Sequence, residues 1–371
     1  MDVRAILLAG PASHGSAAES VGAIPIALLD VLGYSVLQRV ARRLGNSGFA
    51  EVTAVVDASP EAARLLPQPG RRLACITVSG AALWEAAQRV FSNYAQSGAD
   101  LVLVVRLGAY AEVDYEELIQ AHLDRNARIT AVTQENEEAL GIFVISASRR
   151  NDATFLLRHR FKESRTAFSP YRFTGYCNPL SRAADLRRLA VDAFFGSCRL
   201  APAGSEIKPG VWVGKGARVQ SGARLLAPAF IGQDARVCSA AVVTRCSALE
   251  RHTVVKGGTV LEDATVLPDT CVGPGLDVAH AVVGFDRIFD LRRGIEVTVA
   301  DPRLIGSVRS ARAHAYARAA ALLAPNFFSF DRLRSLLLRD RSRCAPAATA
   351  VETSVAALAG TQSLPGQSVQ D

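Results

Sequence analysis

Three sets of residues in this 371-residue chain have types and spacing suited to chemistry. The first is an apolar run, Ala5-Ile6-Leu7-Leu8-Ala9-Gly10, followed by a small polar loop at 11–16 that holds His14 and Gly15. A buried strand running into a glycine-bearing turn presents backbone N–H groups, here around Leu8, Ala9 and Gly10, to an anion such as phosphate. His14 would add positive charge only when protonated, and an ordinary histidine is mostly neutral at pH 7. Arg106 ends a second apolar run, 101–105, and the carboxyl ends of strands face the ligand crevice in open α/β sheets. The second set is Asp30 and Asp114, each placed either to cap a helix or to hold a metal ion. The third is His252 and His280, candidates for the general base that acyl transfer to an amine or hydroxyl requires. A lone histidine at a turn more often is a solvated corner residue.

These groups need a scaffold, and two periodicities describe it. In the first half, strand patterns at 51–56, 74–78, 101–105, 128–133 and 141–146 alternate with helical patterns at 35–45, 60–66, 81–96 and 115–126. Such alternation predicts a largely parallel sheet covered on both faces, an α/β Rossmann-like domain over residues 1–203. In the second half, aliphatic residues recur every six positions from Ile207 through Val213, Val219 and Leu225 to Leu261 and Leu267. Small or β-branched residues sit four positions after each anchor, from Val211 to Cys271. Six is not a multiple of 3.6, so the repeat is not helical. It predicts short strands and turns, three units to a triangular coil, stacked at about 4.8 Å as a parallel β-helix over 204–280. Each buried anchor contributes roughly 1.5–3 kcal/mol, enough in sum for a core of its own.

The opening segment, with Pro25-Ile26-Ala27-Leu28-Leu29-Asp30-Val31-Leu32-Gly33, resembles the start of sugar-1-phosphate nucleotidyltransferases, the nucleotide-sugar pyrophosphorylases. The run 101–105 followed by Asp114-Tyr115-Glu116-Glu117-Leu118 is similar to their central strand and next helix. Ser79-Gly80 matches the segment that faces the nucleobase, which adds Gly80 to the nucleotide-contacting set. A hexapeptide-repeat domain is a frequent companion in that family, and the left-handed sense of the β-helix comes from this likeness. The resemblance implies the reaction of a nucleoside triphosphate with a sugar 1-phosphate to give a nucleotide-sugar and pyrophosphate, in nucleotide-sugar or polysaccharide metabolism. It also implies Mg²⁺ held by acidic residues, with Arg and Lys around the phosphates.

The chain departs from that pattern at each charged position. Pro11-Ala12-Ser13-His14-Gly15-Ser16 replaces the Gly-rich loop with its Arg, and no Lys or Arg occurs between Arg4 and Arg39. Ile26 stands where the family has Lys, and Gly108 where it has the metal-holding Asp. The stretch 176–180, aligned with the second metal ligand, has no carboxylate, and the sugar-contacting Glu-Lys-Pro segment is missing. Two polyanions meeting at a phosphorus atom require such cations. The alternative to a working enzyme is therefore a non-catalytic relative that binds a partner or regulates one. An acyltransferase built on the coil is a third possibility.

The formal charge of +7 allows an anionic partner, but no zinc finger, aromatic RNA-binding signature or uniform basic stripe accompanies it, so nucleic acid is not expected. Seven cysteines without a C-x-x-C pair suit reduced thiols in the cytoplasm. Residues 281–343 are expected to close the coil with irregular strands and then form basic amphipathic helices. Those helices suit docking on the protein or a second subunit better than contact with an anionic membrane. Residues 344–371 have the composition of a disordered tail. Flat faces and open ends of the coil favour assembly, as a homo-oligomer or with another protein.

Overall fold

A computed structural model describes residues 1–10, 20–21, 24–57, 59, 62–66, 73–80, 82–158 and 168–309. The expected helices beyond 308 and the tail lie outside the described residues, as does His14. Residues Met1–Ala313 form one compact unit.

The first lobe is a seven-stranded sheet. Its strands are β1 (Val3–Ala9), β2 (Glu51–Asp57), β3 (Leu73–Val78), β4 (Leu101–Arg106), β5 (Ile129–Thr133), β6 (Ala139–Ser146) and β7 (Ser169–Arg172), in the spatial order β7-β5-β6-β4-β1-β2-β3. All run the same way except β6, which is antiparallel to both β4 and β5. The sheet is therefore mixed rather than purely parallel, compatible with a Rossmann-like lobe. The short connection 134–138 between β5 and β6 is a hairpin turn and has no room for the crossover a parallel pair needs.

Alternation along β1 decides what covers each face. Ala5, Leu7 and Ala9 join the core built by α1 (Val36–Asn46), α3 (Tyr115–Asp124) and α5 (Ala183–Phe194). Ile6 and Leu8 join the core of α2 (Ala82–Gln96) and α4 (Arg150–Arg158). Both faces are thus sealed, which explains the continuous apolar run of β1. Helix α1 starts at Ser35, whose hydroxyl accepts from the Gln38 N–H at 3.2 Å while the Gln38 side chain accepts from the Ser35 N–H at 2.9 Å. This reciprocal cap satisfies two end groups of the helix. Its buried residues Val36, Leu37, Val40, Ala41 and Leu44 fall on one stripe.

The second part is a coil of three stacks of short parallel strands, visited in turn. Val211–Val213 stacks on Ala229–Ile231, which stacks on Ser247–Leu249. The arrangement is compatible with the expected β-helix. The six-residue rhythm, however, is broken where the sequence suggests it continues. Leu249 pairs with Val266, not Leu267, and Val255 pairs with Val272. The corner Glu262–Ala264, with one left-handed residue, Asp263, is one residue shorter than the equivalent corner Thr244–Ser247, which has two, Arg245 and Cys246. After it, Val266, Val272, Val278 and Val283 fill the core instead, with Ala264 and Ala281 at the small positions. Ile207 is not an anchor either: it is 55% exposed, on a strand antiparallel to Val211–Val213. The stack runs past 280 to Ala281–Gly284, and antiparallel strands Arg287–Asp290, Ile295–Thr298 and Ile305–Ser307 follow.

Residues facing out of one side of the coil are as buried as those facing in. Phe230, Ala248, Leu267 and Val282 belong to the core of the first lobe, while their neighbours Ala229, Ile231, Leu249 and Val283 belong to the coil. The period of two along a strand feeds both cores at once. Gly33 is part of this seam. It has φ +95°, and a Cβ there would lie 2.7 Å from Ala203 Cβ and 3.0 Å from the Phe230 ring. No described helix is long and apolar enough to cross a membrane. The six described cysteines are all free.

Candidate functional site

The carboxyl ends of β1, β2 and β3 meet at one point. Leu8 and Ala9 bury their side chains completely, so only their backbone could meet a ligand. Gly10 lies against the next strand: a Cβ on it would sit 2.8 Å from Asp57 Cβ and 3.1 Å from Leu83. Asp57, which the sequence did not single out, accepts a hydrogen bond from the Gly80 N–H at 2.9 Å, and Gly80 adopts φ +49°. Gly10 and Gly80 are thus brought together, with a carboxylate between them. Arg106 lies at the end of β4 with its side chain across Gly141, whose φ of +75° and missing Cβ leave room for it.

The charged parts implied by the family resemblance are absent from these positions. Ile26 is completely buried in a turn of 3₁₀ helix, Ile26–Leu28. Asp114 is a helix cap, accepting from the N–H groups of Glu116 and Glu117 at 3.0 and 3.1 Å. Asp57 is already engaged with Gly80, and among the described residues no three His, Cys, Asp or Glu side chains gather to hold a metal ion. This donor set does not fit a magnesium ion held by two carboxylates.

Asp30 does not cap a helix. The cap of α1 is Ser35, and Asp30 is turned inward at 0% exposure, with Oδ1 accepting from Arg251 of the coil at 3.0 Å. Arg251 also donates to the Leu65 carbonyl. Beside it Glu250, equally buried, accepts from the N–H groups of Leu32 (2.8 Å) and Gly33 (2.8 Å), one on each oxygen. The turn between the short strands Asp30–Val31 and Tyr34–Ser35 puts both Leu32 (φ +51°) and Gly33 in left-handed conformations, which aims the two amides the same way. A third stitch joins α5 to the coil: Arg187, 4% exposed, donates to Asp263 at 2.5 Å and to the Cys246 carbonyl at 2.7 Å. Asp263 also holds His280, Nδ1 to Oδ2 2.6 Å. Burial works upward on the Asp263 carboxyl, but the hydrogen bonds and charges of Arg187 and His280 outweigh it and leave its pKa lowered.

Burial pushes Glu250 up to about 8, and the charge of Asp30 adds to this; the Gly33 and Leu32 amides and Arg39 pull it back. Burial also raises Asp30 to about 6 against Arg251 and Arg39, with Asp269 opposing them. Both groups bind protons more tightly in the folded chain than at their ordinary values of 3.8 and 4.5. Their contribution to stability is therefore fully present below those ordinary values and is lost as pH rises to about 8. The urea midpoint is expected to fall between pH 5 and pH 8, and Glu250→Gln is expected to flatten most of that slope. An unchanged slope in the variant would show that the junction does not titrate.

His252 sits at a corner of the coil with φ +59°, stacked between Asp234 (φ +54°) and Asp269 (φ +58°). Its Nδ1 lies 3.2 Å from Asp269 and its Nε2 3.7 Å from Asp234. A general base needs a ring nitrogen open toward its substrate. Here carboxylates face both.

Glu250, Arg251, Arg187 and Asp57 escaped the reading of the sequence for one reason: their partners are remote. Glu250 meets Leu32 at a separation of 218 residues. The one local sign was a charge after the buried anchor Leu249, where the equivalent corners one and two coils earlier hold Gly232 and Gly214. Fold and site together define a mixed α/β lobe fused to a stack of parallel strands through a buried, charged seam. No family model matches the chain, and no curated protein matches it significantly.

Proposed function

We propose that this chain is a sugar-nucleotidyltransferase-like protein that does not carry out nucleotidyl transfer and instead acts as a binding or regulatory subunit in nucleotide-sugar or polysaccharide metabolism. In this reading the coil is a left-handed β-helix and serves assembly, with further copies or with another protein. One observation carries the loss of transfer. Ile26, at the position the resemblance gives to the phosphate-binding lysine, is sealed in the core. A cation on the transferred phosphoryl group is worth about 10³–10⁵ in rate, as arginine fingers show. Asp57 adds negative charge beside Gly10, where a triphosphate would need the opposite.

A panel of nucleoside triphosphates and sugar 1-phosphates with Mg²⁺ tests this by pyrophosphate release. No release above a heat-inactivated control is the expected result. Turnover that Arg106→Ala abolishes would overturn it and restore the enzymatic reading.

A further inference from the structure

A cleft of about 670 Å³ opens beside the seam, within the roughly 300–1,000 Å³ of small-molecule sites. Its walls come from stretches distant in sequence: Val21, Ile24 and the turn Ala62–Leu65 of the first lobe, the coil corners at Arg251 and Asp269, and the closing segment from Phe285 to Arg309.

Four arginines line the cleft, Arg64, Arg251, Arg287 and Arg309, against two carboxylates, Asp269 and Asp286. Arg251 is held by Asp30, and Arg287 by Glu296 and Asp286. Asp269 faces His252. Arg64 and Arg309 are exposed and have no ion-pair or hydrogen-bond partner among the described residues. Two guanidinium groups delivered to one cleft from separate segments repel each other, and an anion bound between them offsets that repulsion. Guanidinium forks match phosphate oxygens in pairs. Much of the remaining wall is apolar, with Ile24, Leu65, Pro268 and Phe285. A bare inorganic anion would leave that surface in water, whereas a ring or carbon skeleton would cover it.

We propose that this cleft binds an organic phosphate, with the phosphate between Arg64 and Arg309 and the rest of the molecule on Leu65 and Phe285. The site is distinct from the crevice at the strand ends, so it stands whether or not the chain transfers nucleotides.

Calorimetric titration of the full chain with uridine diphosphate, ribose 5-phosphate and pyrophosphate tests the proposal. At least one of the two organic phosphates is expected to bind about tenfold or more tighter than pyrophosphate. Arg64→Ala and Arg309→Ala should each weaken that binding by about tenfold or more while leaving the melting temperature without ligand unchanged, since both side chains are exposed. Arg106→Ala should leave it intact. Absence of binding, equal affinity for pyrophosphate, or a loss in Arg106→Ala with both cleft variants indifferent would overturn the assignment. The last outcome would move the ligand to the strand-end crevice, and none of the three bears on pyrophosphate release.

Discussion

Arg251→Met is expected to lower the unfolding free energy by about 3–5 kcal/mol at pH 7, the range for breaking one side of a buried ion pair. The reason is what it leaves behind. Asp30 is completely buried, its Oδ2 already has no hydrogen-bond partner, and Arg251 is its closest cation. Methionine fills the space of the arginine stem but returns nothing to the carboxylate. Asp30 then avoids isolation by taking up a proton, so the loss should shrink as the pH is lowered toward 5. The double variant Asp30→Asn, Arg251→Met should lose clearly less than the sum of the two single variants, because the isolated charge is gone. Urea denaturation of the four proteins forms the cycle. Strict additivity, or a loss below about 1 kcal/mol for Arg251→Met, would mean that the pair does not hold the seam.

Phe230→Ala is expected to cost about 3–5 kcal/mol, as for other fully buried aromatic side chains. Its ring closes the seam from the coil side, next to the glycine turn at Gly33. Its strand neighbours Ala229 and Ile231 point the other way, into the coil, so the coil keeps its own core in the variant. The cost thus falls on the joint between lobe and coil. Denaturant unfolding followed by both tryptophan fluorescence and circular dichroism reads it, since Trp84 lies in the lobe and Trp212 in the coil. One shared transition in the natural chain, shifted to lower urea in the variant, is the expected pattern. Two separate transitions in the natural chain would show that the seam does not couple them.

Much of the architecture was legible in the sequence because it depends on local periodicity. Period two and continuous apolar runs located β1, β2, β4 and β6 to within a few residues, and the helical pattern at 35–45 located α1. The six-residue rhythm revealed the coil because stacked, near-identical turns impose identical spacing. The same rhythm also misled at Leu267. A corner that loses one residue leaves no mark in a pattern of aliphatic residues, since Val266 and Leu267 are both apolar. Only pairing with the coil before it decides which of the two faces inward. The direction of β6 was equally hidden, because an apolar strand reads alike in either sense.

For the candidate sites the division is sharper. By itself the sequence determined that positions 26 and 108 are uncharged, since Ile26 and Gly108 carry no ionisable group in any fold. It also placed Asp114 at a helix start, where a cap was the chemical expectation. Tertiary structure alone decided what the remaining charges do. It turned Asp30 toward Arg251, set Glu250 on the amides of Leu32 and Gly33, and brought Arg64 and Arg309 to one cleft. Electrostatic partnership depends on distance in space. Asp30 and Arg251 lie 221 residues apart along the chain, so no spacing rule could have linked them.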